Sequence, residues 1–161
     1  MSHTEAEIRS QPEAWQRVLD LLPTVADALP APGERVATIG CGTSWFIAEG
    51  YAALREEGGL GETDAFTASS LPSARRYDRV VALSRSGTTT EVLRAVDALS
   101  VPVTAIVADP TSPLVGAADE TIALDFADER SVVQTVFATS AKRPTPPIAG
   151  VGRMPLPLVS L

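Results

Sequence analysis

Five hydroxyl side chains crowd into seven consecutive residues: Ser84, Ser86, Thr88, Thr89 and Thr90, with Arg85 and Gly87 between them. The run follows the apolar stretch Val80-Val81-Ala82-Leu83 and gives way to a helical pattern through Glu91, Val92, Leu93, Ala95 and Val96. Where a strand passes into a helix through small residues and a glycine, the free amides of the helix start face outward. They also carry the positive end of the helix dipole. Such a junction suits an anion. Hydroxyls of Ser84, Ser86, Thr88 and Thr89 add donors, and Arg85 adds a full charge. The chemistry this spacing points to is the holding of a phosphate. Helix capping is the plainer alternative, since Ser and Thr are favoured caps in any protein, but five hydroxyls are more than one cap requires.

A second junction of the same kind precedes it. The apolar run over 35–39 ends in Gly40-Cys41-Gly42-Thr43-Ser44, and a helix is expected from about 45 to 57. This is not the dinucleotide fingerprint G-x-G-x-x-G, because Trp45 stands where the third glycine would allow close helix packing. Cys41 reads as a small buried residue, with a reactive thiol at a helix start as the rarer alternative.

The elements that must position these loops follow from the apolar pattern. An N-terminal lead-in over 1–34 reads as helices. Thr4 and Glu7 have capping-box spacing, a new helix is expected from Pro12, and a short one over 24–29 ends at Pro30. Trp15, Val18, Leu19 and Leu22 form an amphipathic stripe, and Trp15 reads as a core or interface anchor. Strands are expected over 35–39, 63–67, 79–83, 101–108 and 121–124, with a helix or turn over 68–77, a helix that follows the loop 84–90 and runs to 99, and helices over 114–118 and 130–141. Strands that are apolar throughout, alternating with helices, imply a five-stranded parallel sheet covered on both faces, a three-layer α-β-α fold. Ligands in such folds sit at the carboxyl ends of the strands. The two hydroxyl-rich loops lie side by side there if the first and third strands are neighbours, as in the flavodoxin-like order.

The chain has 161 residues, enough for one domain with a real core. Its net charge is −7, unevenly placed: the 20 acidic residues all precede Lys142, whereas Lys142, Arg143 and Arg153 fall among the last 20 residues. So acidic a body argues against nucleic acid as partner, and no apolar run is long enough to cross a membrane. One Cys excludes an internal disulfide, in keeping with a reducing cytoplasm. One His, His3, leaves neither a zinc site nor a Ser-His-Asp triad within one chain. No metal and no cofactor are expected. Residues 142–161 hold 5 of the 13 prolines and no acid, and read as an irregular tail.

Taken together, Gly40-Cys41-Gly42-Thr43-Ser44, Ser84-Arg85-Ser86-Gly87-Thr88-Thr89 and Glu129-Arg130-Ser131-Val132-Val133-Gln134-Thr135 resemble the SIS (sugar isomerase) family, as does the opening Glu7-Ile8-x-Ser10-Gln11-Pro12. The chain is similar to the isomerase half of glucosamine-6-phosphate synthase and to related phosphosugar isomerases and deaminases, from about residue 5 to 141. The resemblance implies a single SIS domain over 35–141 that binds a hexosamine or ketohexose 6-phosphate. Ser84, Arg85, Ser86 and Thr89 would line the phosphate, and Gly42, Thr43 and Ser44 the sugar. Glu129 would be the general base moving a proton between C1 and C2, provided burial raises its pKa. On its residues alone, Glu129 reads instead as an acid at a helix N-terminus. Family members usually carry two such domains. The family's catalytic Lys and ring-opening His have no counterpart here, and Lys142 is not in equivalent context. The expectations are therefore a sugar-phosphate-binding domain, isomerase-type if active, completed by self-association as a homodimer or by a second SIS domain. The chain would then be half of a longer protein, truncated or frame-shifted near residue 142. A non-catalytic sugar-phosphate sensor is the alternative.

Overall fold

Five short strands carry the sheet, rich in β-branched and small apolar residues. They are β1 (Val36–Gly40), β2 (Thr63–Thr67), β3 (Arg79–Leu83), β4 (Val103–Val107) and β5 (Glu120–Ala123). The structure is a computed structural model and describes residues 3–129 and 134–141. All four pairings are parallel and the strand order is β2-β1-β3-β4-β5. The first and third strands are neighbours, as the flavodoxin-like order requires.

Side chains alternate across this sheet and fill two cores. On one face Val36, Val81, Leu83, Ile106 and Ile122 pack with three helices, α1 (His3–Leu21), α2 (Thr43–Glu57) and α5 (Val136–Ala141). On the other, Ala37, Ile39, Val80, Ala82, Ala105 and Val107 meet α3 (Thr90–Asp97) and α4 (Pro113–Ala117). The architecture is thus three-layer α-β-α. β1, β3 and β4 are each buried along nearly their whole length, which is why their sequences are apolar rather than alternating.

The N-terminal region differs from its expected form. α1 runs unbroken through Pro12, and Thr4 lies inside the first turn. Pro12 removes one intrahelical hydrogen bond, to the carbonyl of Ile8. Both residues are exposed, so water can replace the missing donor. Burial of Ala14 and Val18 against the sheet, with Trp15 Nε1 donating to Thr139 Oγ1 at 3.0 Å, fixes the helix despite its proline. The short helix expected over 24–29 is two 3-10 turns, Leu22–Thr24 and Ala26–Ala28. A third, Ala68–Ser70, opens the link from β2 to β3. Of the helix expected over 130–141, the described part is α5; residues 130–133 and the tail 142–161 lie outside the described residues.

At the amino end of the sheet, Arg55 is fully buried. It donates to the carbonyls of Ala31 (2.6 Å) and Glu34 (3.0 Å) and to Thr63 Oγ1 (3.0 Å). Burial pushes its pKa below the ordinary arginine value. This latch closes the end of the molecule away from the hydroxyl-rich loops.

Candidate functional site

Ile39 of β1 stands beside Ala82 of β3, so two residues on, Cys41 and Ser84 leave adjacent strands at the same level. The loops 40–44 and 84–90 therefore emerge side by side at the carboxyl edge of the sheet, with strand axes about 4.8 Å apart. Each feeds a helix start. α2 begins at Thr43 behind Gly42, whose φ of 55° suits glycine, and no side chain caps it. α3 begins at Thr90 behind Thr89, again with no side-chain cap. Two uncapped helix N-termini thus open at neighbouring strand ends. Capping alone does not account for the hydroxyls, because at neither start does the cap residue's side chain accept a helix amide.

The hydroxyls bond one another instead. Ser84 is buried beneath the loop, where its Oγ accepts the Gly87 amide at 3.2 Å and lies 3.2 Å from Thr89 Oγ1. Ser86 Oγ accepts the Thr88 amide at 3.3 Å and the Thr88 hydroxyl at 2.9 Å. Ser84 and Thr89 form an inner brace, while Ser86 and Thr88 form an outer pair with Thr88 exposed. On the β1 side Thr43 is exposed, whereas Ser44 is buried with its amide on the Cys41 carbonyl at 3.1 Å. Gly40 must be glycine, since a Cβ there would fall 2.6 Å from the Ser44 backbone.

Gly87 is the pivot of the second loop. Its φ is +60°, and a Cβ would fall 2.0 Å from Ser112 Oγ. The turn after β4 fastens the loop from below. Ala108 and Asp109 amides donate to the Arg85 carbonyl at 2.9 and 3.4 Å, and the Leu114 amide donates to the Gly87 carbonyl at 3.1 Å. Ser112 was not among the residues singled out from sequence. Its place at the carboxyl end of β4 marks it only once β4 is known to neighbour β3.

Arg85 turns sideways toward the end of β5. Its guanidinium donates to the Glu129 carbonyl and stands 3.9 Å from an Asp128 carboxylate oxygen. Its Nε is buried and has no partner among the described residues.

Glu129 is 5% exposed, and its carboxylate caps the start of α5. Oε1 accepts the amides of Thr135 at 2.5 Å and Val136 at 2.7 Å and the Thr135 hydroxyl at 3.0 Å. Oε2 accepts the Phe137 amide at 3.0 Å. Three of these donors meet one oxygen. This is the arrangement of a helix-terminal acid, one of the two roles open to Glu129 in the sequence. Its neighbours Arg130 to Val133 lie outside the described residues.

Among the described residues no group of three or more His, Cys, Asp and Glu is placed to hold a metal, and no helix is long and apolar enough to cross a membrane. Two surface grooves, of about 420 Å³ by Arg17 and Phe126 and about 800 Å³ between residues 68–80 and the end of α3, include no residue of either loop. The candidate site is therefore an open edge and not one of these grooves.

The model of the SIS domain matches residues 31–142. The chain belongs to the SIS domain family. Solved structures share the fold of this SIS domain. The tagatose-6-phosphate ketose/aldose isomerase of Escherichia coli matches with a TM-score of 0.74 at 22% identity, over 88% of this chain and 45% of that one. The glucosamine-6-phosphate deaminase of Thermotoga maritima gives 0.71 at 22%, over 89% and 49%. The NanR protein of Vibrio vulnificus, in complex with ManNAc-6P, gives 0.63 at 21%, over 89% and 58%. The chain thus spans about half the length of the isomerase and the deaminase. No curated protein sequence matches the chain.

Proposed function

We propose that this SIS domain binds a sugar phosphate, a hexosamine or ketohexose 6-phosphate, at the carboxyl edge of β1 and β3. The observation that carries this reading is the pair of uncapped helix N-termini emerging side by side. Each presents first-turn amides and a partial positive charge to the same edge. Ser86 and Thr89 hydroxyls and the α3 amides would hold the phosphate, with Arg85 lending charge from the side. Ser84 would act from beneath as a brace. Gly42, Thr43 and Ser44 would face the sugar. The fold-level relatives include enzymes and a protein that carry phosphosugar names or ligands, which fits this ligand class.

Turnover is a separate matter. As an aldose–ketose isomerase or deaminase, this chain would use Glu129 as base at the sugar carbons, working with a second SIS domain or as a homodimer in the cytoplasm. One observation favours the non-catalytic sensor instead. The Glu129 carboxylate already accepts four hydrogen bonds from the start of α5, so both of its oxygens are engaged by the helix and not by the loops 40–44 and 84–90.

The test is a thermal-shift series with glucosamine 6-phosphate, fructose 6-phosphate, N-acetylgalactosamine 6-phosphate and inorganic phosphate, run on wild type and Ser86→Ala. A ligand bound only by the folded chain raises the melting temperature. Stabilisation by one sugar phosphate, lost in Ser86→Ala, supports the reading. A flat response across the series refutes it. An isomerase assay on the stabilising sugar then separates enzyme from sensor.

A further inference from the structure

Ser112 carries a buried hydroxyl with nothing to bond. It is 4% exposed, and its Oγ has no hydrogen-bond partner among the described residues. It immediately precedes α4, yet its side chain does not cap that helix. Its Oγ lies instead against Gly87, where a Cβ on the glycine would fall 2.0 Å away. The turn that holds Ser112 is the floor of the loop, tied to it through the Arg85 and Gly87 carbonyls.

A buried hydroxyl without a partner destabilises the state that contains it. Ser112 is not alone: Arg85 Nε, on the loop above it, is also buried without a partner. Two of the amide bonds inside the loop are long. The Gly87 and Thr88 amides reach their serine acceptors at 3.2 and 3.3 Å, so a small shift exchanges them. Two polar atoms left over in the loop and its floor, beside bonds this long, leave room for a further hydrogen bond when the loop shifts.

Resting on the reading of this loop as the phosphate site, we propose that Ser112 is a positioning residue that works through Gly87. In this conformation its hydroxyl has no partner among the described residues. When Ser86 turns to a phosphate oxygen and the 86–88 backbone tightens over it, the Ser112 hydroxyl gains a hydrogen bond to the Gly87–Thr88 segment. Ligand binding thereby relieves a destabilising contact of the empty state, and the residue raises affinity without touching the ligand.

The experiment is calorimetry on the full chain with inorganic phosphate and with glucosamine 6-phosphate, for wild type and Ser112→Ala. Melting temperatures without ligand and the Gly87 amide resonance are followed in parallel. Ser112→Ala deletes one atom that has no partner, so its ligand-free melting temperature is expected to be unchanged or higher. Its affinity is expected to fall about fivefold, the loss of one modest hydrogen bond, and phosphate is expected to move its Gly87 resonance less than in wild type. A merely structural serine would lower the ligand-free melting temperature and leave affinity alone, and that result overturns the inference. Equal affinity of a binding wild type and Ser112→Ala also overturns it while the site reading stands. A wild type that binds neither probe overturns the site reading, and the inference with it.

Discussion

Replacing Glu129 with alanine removes one buried carboxylate and leaves four donors without their acceptor. Three are the amides of Thr135, Val136 and Phe137, and the fourth is the Thr135 hydroxyl. Thr135 is half-buried and can turn to water, but Val136 and Phe137 are 3% and 1% exposed. Each buried amide left unpaired costs about 1–3 kcal/mol, so two give about 2–6 kcal/mol. Loss of a helix cap measured in other proteins is about 0.5–2 kcal/mol, which sets the floor. We expect Glu129→Ala to lose about 3–5 kcal/mol, a large share of the about 5–15 kcal/mol by which a domain is stable. At about 2–4 °C per kcal/mol for a chain of this size, the melting temperature falls by about 10 °C. Glu129→Gln keeps an acceptor oxygen but loses the charge, and is expected to lose about 1–2 kcal/mol. Urea unfolding followed by circular dichroism, with equal m-values confirming a common unfolded state, reads both variants. If Glu129→Ala lies within about 1 kcal/mol of wild type, the carboxylate does not hold α5 and the reasoning fails. In Glu129→Gln, which keeps the fold, an isomerase rate lowered by about a hundredfold or more would restore the general-base role.

Other outcomes are open to simple measurement. Gly87→Ala places a side chain in the left-handed region and against Ser112; it is expected to lose about 1–2 kcal/mol from the backbone conformation alone and to abolish the phosphate-dependent thermal shift. Tyr51 is fully buried, and desolvation pushes its hydroxyl from 10.0 up to about 12. The unfolded chain therefore releases this proton first, and stability that is complete below pH 10.0 declines toward pH 12. The decline is about 1.4 kcal/mol per pH unit over that window. Tyr51→Phe should flatten this alkaline decline in unfolding titrations and, because the Tyr51 hydroxyl has no partner among the described residues, leave stability at pH 7 unharmed. Arg55→Leu leaves the Ala31 and Glu34 carbonyls and the Thr63 hydroxyl without their donor. Its unfolding free energy is expected to drop by about 3 kcal/mol with little change in ligand affinity, since the latch sits at the far end of the sheet.

The local grammar of the chain was legible before any coordinates. Val80 to Leu83 and Val103 to Val107 are runs too apolar to be half-exposed strands, and each is followed by turn residues. The alternation of strand and helix therefore announced a parallel sheet buried on both faces. The two loops were equally plain, because strand, glycine, hydroxyl and helix start are neighbours in sequence, and backbone geometry within a few residues follows from residue type. Gly87 and Gly42 take positive φ where a loop must turn sharply into a helix.

Relations between distant residues had to wait for the packed structure. Strand order put β1 beside β3, and only then did the two loops share an edge. Pro12 reads as a helix boundary, yet α1 passes through it because burial of Ala14 and Val18 outweighs one missing hydrogen bond. Glu129 offered two roles, and the fold gave its carboxylate to the amides of α5. Arg85 reads in sequence as a phosphate ligand, and its contacts with Asp128 and Glu129 appear only in the fold. Ser112 showed nothing in sequence beyond a turn, and only the fold laid it against Gly87. A pattern of neighbours determines whether a segment is strand, loop or helix; which segments then touch is decided by how the sheet and its two cores exclude water, and that depends on the whole chain at once.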